Sequence, residues 1–192
     1  MFREQLRPAI VIFIILTVMT GIAYTAFVTV VTQIFFHAEA NGSLVYQNGK
    51  AVGSALIGQS FDEEKYLWGR ISATSPMPYN SASSSGSNLA ASNPALLDIV
   101  KARIEKLRAA DPDNDMPIPV DLVTSSASGL DPHISQAGAY YQAHRIARAR
   151  GISADVVKNI IDKNTTGRFC GVVGEPVVNV LKVNLDLDSH KE

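Results

Sequence analysis

Between Ala9 and Phe36 the chain carries no charged residue. That run exceeds the ~20 residues needed to cross a bilayer. Backbone groups in lipid must pair internally, so the run predicts one helix. Thr17, Thr20, Thr25, Thr29, Thr32 and Gly21 are tolerable there and offer a close-packing face to neighbouring helices. Arg3 and Arg7 precede the span, and no Lys or Arg follows until Lys50. Positive residues stay on the cytoplasmic side. The expected order is cytoplasmic residues 1–8, a transmembrane helix over 9–36 and an extracytoplasmic domain over 37–192. Ala38-Glu39-Ala40 resembles a signal-peptide cleavage site. The apolar core of a signal peptide runs only about 7–15 residues, however, so an uncleaved anchor is expected.

Beyond the span the pattern shortens. Two apolar runs flank Asn48-Gly49, a strong hairpin signal because both turn residues must take positive φ. The second strand is expected to continue through Ile57. Residues 70–94 are rich in Ser and Asn, which fits either a flexible linker or an ordered loop tied by Asn side chains such as Asn80 and Asn88. Asn93-Pro94 then predicts a helix start, Asn as cap and Pro in the first turn. Leu96, Leu97, Val100, Ile104 and Leu107 form its apolar face, with Lys101, Arg103, Glu105 and Arg108 toward solvent. A short strand is expected at Val120–Thr124. Ser135 caps a second helix ended by Gly151, and Ser153 caps a third. The last segment alternates Leu181, Val183, Leu185 and Leu187 with Lys182, Asn184, Asp186 and Asp188, which predicts a half-buried strand. This order gives an α+β class: one N-terminal transmembrane helix, then a single mixed α/β extracytoplasmic domain.

Composition narrows the function. A net charge of −1 gives no basic face for nucleic acid. The single cysteine, Cys170, excludes an intramolecular disulfide and is expected to be buried and inert. Thr124 to Ser135, TSSASGLDPHIS, gathers hydrolase residue types: Asp131, His133 and Ser126 or Ser128. Neighbours two apart in a loop seldom form a triad, and no G-x-S-x-G turn is present. A membrane-anchored hydrolase or ligand-binding protein using Asp131 and His133 is the alternative reading. His133, Asp131, Asp121 and Glu175 lack paired metal-ligand spacing, and no phosphate-cradling glycine loop occurs. Asp162-Lys-Asn-Thr-Thr-Gly167 echoes a P-type ATPase phosphorylation motif but is interrupted by Asn164 and lies beyond the span. Gln142, Arg145 and Arg148 share a helix face, on spacing alone a solvated one.

Taken in order along the chain, several stretches carry a specific resemblance. They are Leu6-Arg7-Pro8, Gly53 to Phe61, Trp68 to Ala73 with Tyr79-Asn80, Ser85 to Leu89, Ser92 to Pro94, Pro119 to Thr124, Gly129 to Ser135, and Gly174-Glu175-Pro176 with Val178 to Leu181. Together they resemble the C subunit of the Kdp potassium-transporting P-type ATPase. The chain departs from that pattern at Ile71, at Ala90-Ala91 and at Val177. The resemblance implies a non-catalytic subunit of a high-affinity, ATP-driven potassium importer in a bacterial inner membrane. Implied partners are a channel-like potassium-translocating subunit, an ATP-hydrolysing subunit and a small single-span subunit. It also implies a chaperone-like role in ATP use. No cofactor is otherwise expected, but the resemblance makes ATP a ligand to test, with Gln142 and Arg145 at the matching positions. Arg70, Asn80, Asn88, Asn93, Asp131, His133 and Glu175 are its implied contact or structural positions. An extracytoplasmic domain, separated from cytoplasmic ATP by a bilayer of about 30 Å, would instead support ATP use by stabilising the complex.

Overall fold

The computed structural model describes residues 2–190, with the side chains of Phe2 and Arg3 left out. Met1, Lys191 and Glu192, which the expected segments include, lie outside the described residues. The chain divides into two compact units, residues 1–44 and 45–192.

The first unit is dominated by a continuous helix. It comprises α1 (Phe2–Thr17), a π-helical turn (Val18–Ala23) and α2 (Tyr24–Phe35). The apolar part, Glu4–Phe35, has 32 residues, a length of about 48 Å at 1.5 Å per residue. It is thus long and apolar enough to cross a membrane. Hydroxyls of Thr20 and Thr32 donate to the carbonyls of Leu16 and Val28, at 2.7 and 3.0 Å. A single-turn helix, α3 (His37–Ala40), follows.

The second unit is mixed α and β. Strands β1 (Leu44–Gln47) and β2 (Lys50–Ser54) form the expected hairpin, with positive φ at Asn48 and Gly49. β2 stops at Ser54 instead of running to Ile57, because the chain turns and Ile57 bridges back to Ser54. Residues 55–93 contain no regular element yet are tied throughout. Asn80 Nδ2 donates to Ser75 O (2.9 Å), and Ser72 Oγ donates to Gly129 O (2.7 Å). Of the two readings of the Ser/Asn-rich segment, the tied loop is the one observed.

Helix α4 (Pro94–Ala110) starts as expected, Asn93 Oδ1 accepting from Ala95 N at 3.0 Å. Its faces differ from expectation. Leu97 is exposed, and Arg103 turns inward to donate to Leu122 O and Gly69 O, at 3.0 and 2.9 Å. Val120–Thr124 is not a strand. Val120–Val123 forms a helical turn, α5, behind Pro119, and Thr124 Oγ1 donates to Val120 O at 2.9 Å.

Strands β3 (His133–Ser135), β4 (Thr165–Thr166) and β5 (Val177–Asn179) form an antiparallel sheet in the order β3-β5-β4. His133 lies opposite Asn179 and Thr165 opposite Val178. Helix α6 (Gln136–Arg150) is capped by Ser135 and ended by Gly151 at φ 71°, and α7 (Ala154–Lys163) is capped by Ser153. The segment expected as the last strand is a helix, α8 (Val180–Ser189), capped by Asn179. Its buried positions, Val180, Leu181, Val183, Asn184 and Leu187, follow helical spacing. The core joins Leu67, Trp68, Leu107, Leu122, Ile134, Ile146, Ile161, Val178 and Val183.

Candidate functional site

Asp131-Pro132-His133 leads into β3 from an irregular loop. Asp131 Oδ1 accepts from its own neighbour, His133 N, at 3.0 Å, which fixes the turn. Asp131 Oδ2 accepts from Arg70 Nη1 at 3.3 Å, and Arg70 Nη2 donates to Ser125 O at 3.1 Å. Burial alone would raise the Asp131 pKa. The His133 side chain and backbone N–H and the Arg70 guanidinium outweigh it, so the carboxyl titrates below its ordinary range. Two polar groups meet the His133 ring among the described contacts: Nδ1 is 3.7 Å from Asp131 Oδ1, and Nε2 is 3.4 Å from Asn179 Nδ2.

The expected serines lie elsewhere in the network. Ser126 is buried and its N–H donates to Ile71 O, while Ser128 Oγ accepts from Leu130 N at 3.1 Å. Among the described hydrogen bonds, none joins a serine hydroxyl to His133. Asp121 Oδ2 accepts from Ser135 N at 2.7 Å, and Ser135 Oγ accepts from Gly138 N at 2.9 Å. Thus Asp121 and Ser135 secure the start of α6. Arg70, Asp121, Asp131, His133 and Glu175 line one shallow groove of about 220 Å³. The Glu175 carboxylate, though, is held by Arg168 Nη2 at 2.9 Å. Among the described residues, no three of His, Cys, Asp and Glu converge as metal ligands would.

A second constellation sits on α6, and it contradicts the solvated face expected from spacing. Gln142 and Arg145 are only 1% and 2% exposed. Gln142 Oε1 accepts from Trp68 N (2.9 Å), and its Nε2 donates to Trp68 O (3.1 Å) and Gly138 O (3.2 Å). The Arg145 guanidinium lies 4.0 Å from the Trp68 ring centroid. It donates to Glu64 O, to Tyr66 O (3.1 Å) and to Gln142 Oε1 (2.7 Å). Burial lowers its pKa from the ordinary guanidinium range to about 10. Both side chains therefore clamp the irregular 64–68 segment onto α6. Arg148, the third member of that face, is exposed and pairs with buried Asp111 at 2.9 Å.

The remaining candidates are mostly structural in their contacts. Asn80 ties its own loop, and Asn88 is exposed and adopts φ 51°. Tyr79 was not singled out chemically, yet its hydroxyl donates to Arg70 O at 2.6 Å and burial raises its pKa to about 12. Arg103 and Asn184 were also missed. Arg103 falls in helical register with Leu96, Val100 and Leu107, and Asn184 with Val180 and Leu187. That register was the available signal. Cys170, expected to be buried, is exposed.

Segments of the α/β unit that carried the sequence resemblance are joined by hydrogen bonds. Gly58 N donates to Leu130 O (2.8 Å), Val180 N to Pro132 O (3.0 Å) and Asn179 Nδ2 to Ala55 O (2.9 Å). A Cβ at Gly58 would lie 2.4 Å from Tyr79 and 2.7 Å from Asp131 O, so only glycine fits there. The family described as "KdpC: K+-transporting ATPase, c chain" matches residues 6–189. The chain belongs to the KdpC family. Curated relatives named potassium-transporting ATPase KdpC subunit include one from Burkholderia orbicola, 60% identical over 97% of each chain. Others come from Burkholderia ambifaria, 59% identical over the same share, and from Herpetosiphon aurantiacus, 55% identical over 98% of each chain. The KdpC match takes in the long apolar helix and the α/β unit together, so the membrane-compatible helix is part of what this chain shares with its relatives.

Proposed function

We propose that this chain is a non-catalytic, single-pass C subunit of a high-affinity, ATP-driven potassium import complex in a bacterial inner membrane. Its N-terminus lies in the cytoplasm and residues 37–192 lie on the periplasmic side. Its partners are a channel-like potassium-translocating subunit, an ATP-hydrolysing P-type subunit and a small single-span subunit. The observation that carries this reading is identity of 55–60% with potassium-transporting ATPase KdpC subunits over almost the whole chain.

The role assigned here is assembly and stabilisation of the complex, through the anchor and the α/β unit. Support for ATP use follows from holding the complex together. The packing of Gln142 and Arg145 favours this over direct nucleotide contact, since both are committed to backbone carbonyls and to Trp68. The hydrolase reading gains nothing from the His133 ring, whose neighbours are Asp131 and Asn179. Deleting residues 38–192 is expected to abolish recovery of the intact complex and high-affinity potassium uptake. Full uptake by cells carrying that deletion would sink the proposal. Sidedness is checked separately: protease added to spheroplasts should trim the α/β unit without lysis.

A further inference from the structure

The hairpin between β4 and β5 has no role in the functions above. From Thr166 to Glu175 every residue is exposed. Its tip, Phe169 to Gly174, reads FCGVVG and carries no charge. Phe169, Val172 and Val173 are 76, 78 and 64% exposed. Three large apolar side chains on one short tip exceed the scattered exposure that needs no explanation. We propose that this tip inserts into the bilayer interface and gives the α/β unit a second membrane contact beside its anchor.

Three observations favour lipid as the occupant. First, the tip pairs part of its own backbone. Phe169 N donates to Val173 O (2.8 Å) and Val173 N to Phe169 O (3.1 Å). Gly171 N donates to Arg168 O and Val172 N to Phe169 O, both at 3.1 Å. Backbone that leaves water must be paired this way, whereas backbone facing water need not be. Second, the neck is neutral: Arg168 grips both Glu175 oxygens at 2.9 Å, so no unpaired charge sits next to the apolar tip. Third, the hairpin springs from the end of the unit at which the chain arrives. Val45 and Tyr46 line a cleft with Lys163 and Asn164. Lys163 and Asn164 line the adjoining cleft with Thr165, Thr166 and Leu56. Tyr46 and Leu56 are exposed apolar residues at that same end. About ten residues separate Phe35 from Val45, which even fully extended span only about 35 Å. The segment that leads from the apolar helix joins the unit at the end that bears the tip.

The inference rests on the anchor reading, and the test separates the two. Cys170 is the single cysteine of the chain and lies in the tip. The full chain is labelled there with a nitroxide and reconstituted into phosphatidylethanolamine–phosphatidylglycerol vesicles. Flotation reports the anchor; collision with oxygen or with a water-soluble nickel chelate reports the tip. The expected result is co-flotation with oxygen collisions dominant and nickel collisions lost. Val172→Asp and, separately, Phe169→Asp should restore nickel collisions without changing flotation or melting. Both substituted sites are exposed, so folding is not at stake. Co-flotation with a nickel-accessible label overturns the tip and leaves the anchor standing. Failure to float overturns both. A label shielded from nickel only when the other subunits are co-reconstituted overturns lipid insertion in favour of a protein contact.

Discussion

At the residue scale, the clearest consequence concerns Gln142. Its amide meets both the N–H and the carbonyl of Trp68 and also accepts from Arg145. Gln142→Met keeps the volume but strands these groups in the core. Stranding buried partners costs about 1–3 kcal/mol of unfolding free energy, so the full chain in detergent should show a lower urea midpoint at an unchanged m-value. Asp131 makes a pH-dependent contribution. Its folded pKa lies below the ordinary 3.8, so its stabilisation is complete above that value and is lost as pH falls through the folded pKa. Acid unfolding should therefore be steeper for the natural chain than for Asp131→Asn, read as melting temperature against pH below about 4. Much of this was legible in residue types. Asn93, Ser135 and Ser153 act as the caps the sequence announced. Gln142 and Arg145 misled because a polar side chain on a helix carries no mark of burial. Only the irregular 64–68 segment, distant in sequence, makes them interior groups.

At the element scale, the C-terminal segment shows how two periods compete. Leu181, Val183, Leu185 and Leu187 alternate like a strand, while Val180, Val183, Asn184 and Leu187 repeat like a helix. The helix prevails because Asn179 caps it, accepting from Lys182 N at 3.1 Å, and because Asn184 anchors it internally. Asn184 accepts from Leu67 N (2.7 Å) and donates to Leu67 O (3.0 Å), a role closed to a solvent-facing strand residue. Asn179→Ala should cost about 0.5–2 kcal/mol for the lost cap, measured as a shift in denaturation midpoint. Leu187→Ala should cost about 2–5 kcal/mol for the buried side chain it removes. In an all-strand arrangement Leu185→Ala would match Leu187→Ala; here the half-buried Leu185 should be the milder change.

At the scale of the whole molecule, the sequence announced the long apolar helix and the mixed α/β class more readily than the α/β unit's internal path. Long irregular stretches such as 55–93 have no periodicity to read, and their order depends on side-chain bonds to remote backbone such as Ser72 to Gly129. If the subunit acts by assembly, it should gain no stability from nucleotide. A ligand bound at 100 times its dissociation constant would add about 2.7 kcal/mol. We expect millimolar Mg-ATP to leave the melting temperature of the isolated full chain unchanged, and a clear upward shift would favour direct nucleotide contact.

The π-helical turn at Val18–Ala23 bears on how the long apolar helix presents itself to neighbours. Successive threonines in it lie three, five, four and three residues apart, from Thr17 to Thr32. In an unbroken helix at about 100° per residue, the five-residue step would throw the later hydroxyls to another side. The extra residue in the wide turn takes up that step and returns Thr25, Thr29 and Thr32 to the line of Thr17 and Thr20. The rod thereby gains a front and a back, and with them a preferred azimuth against whatever helix lies beside it.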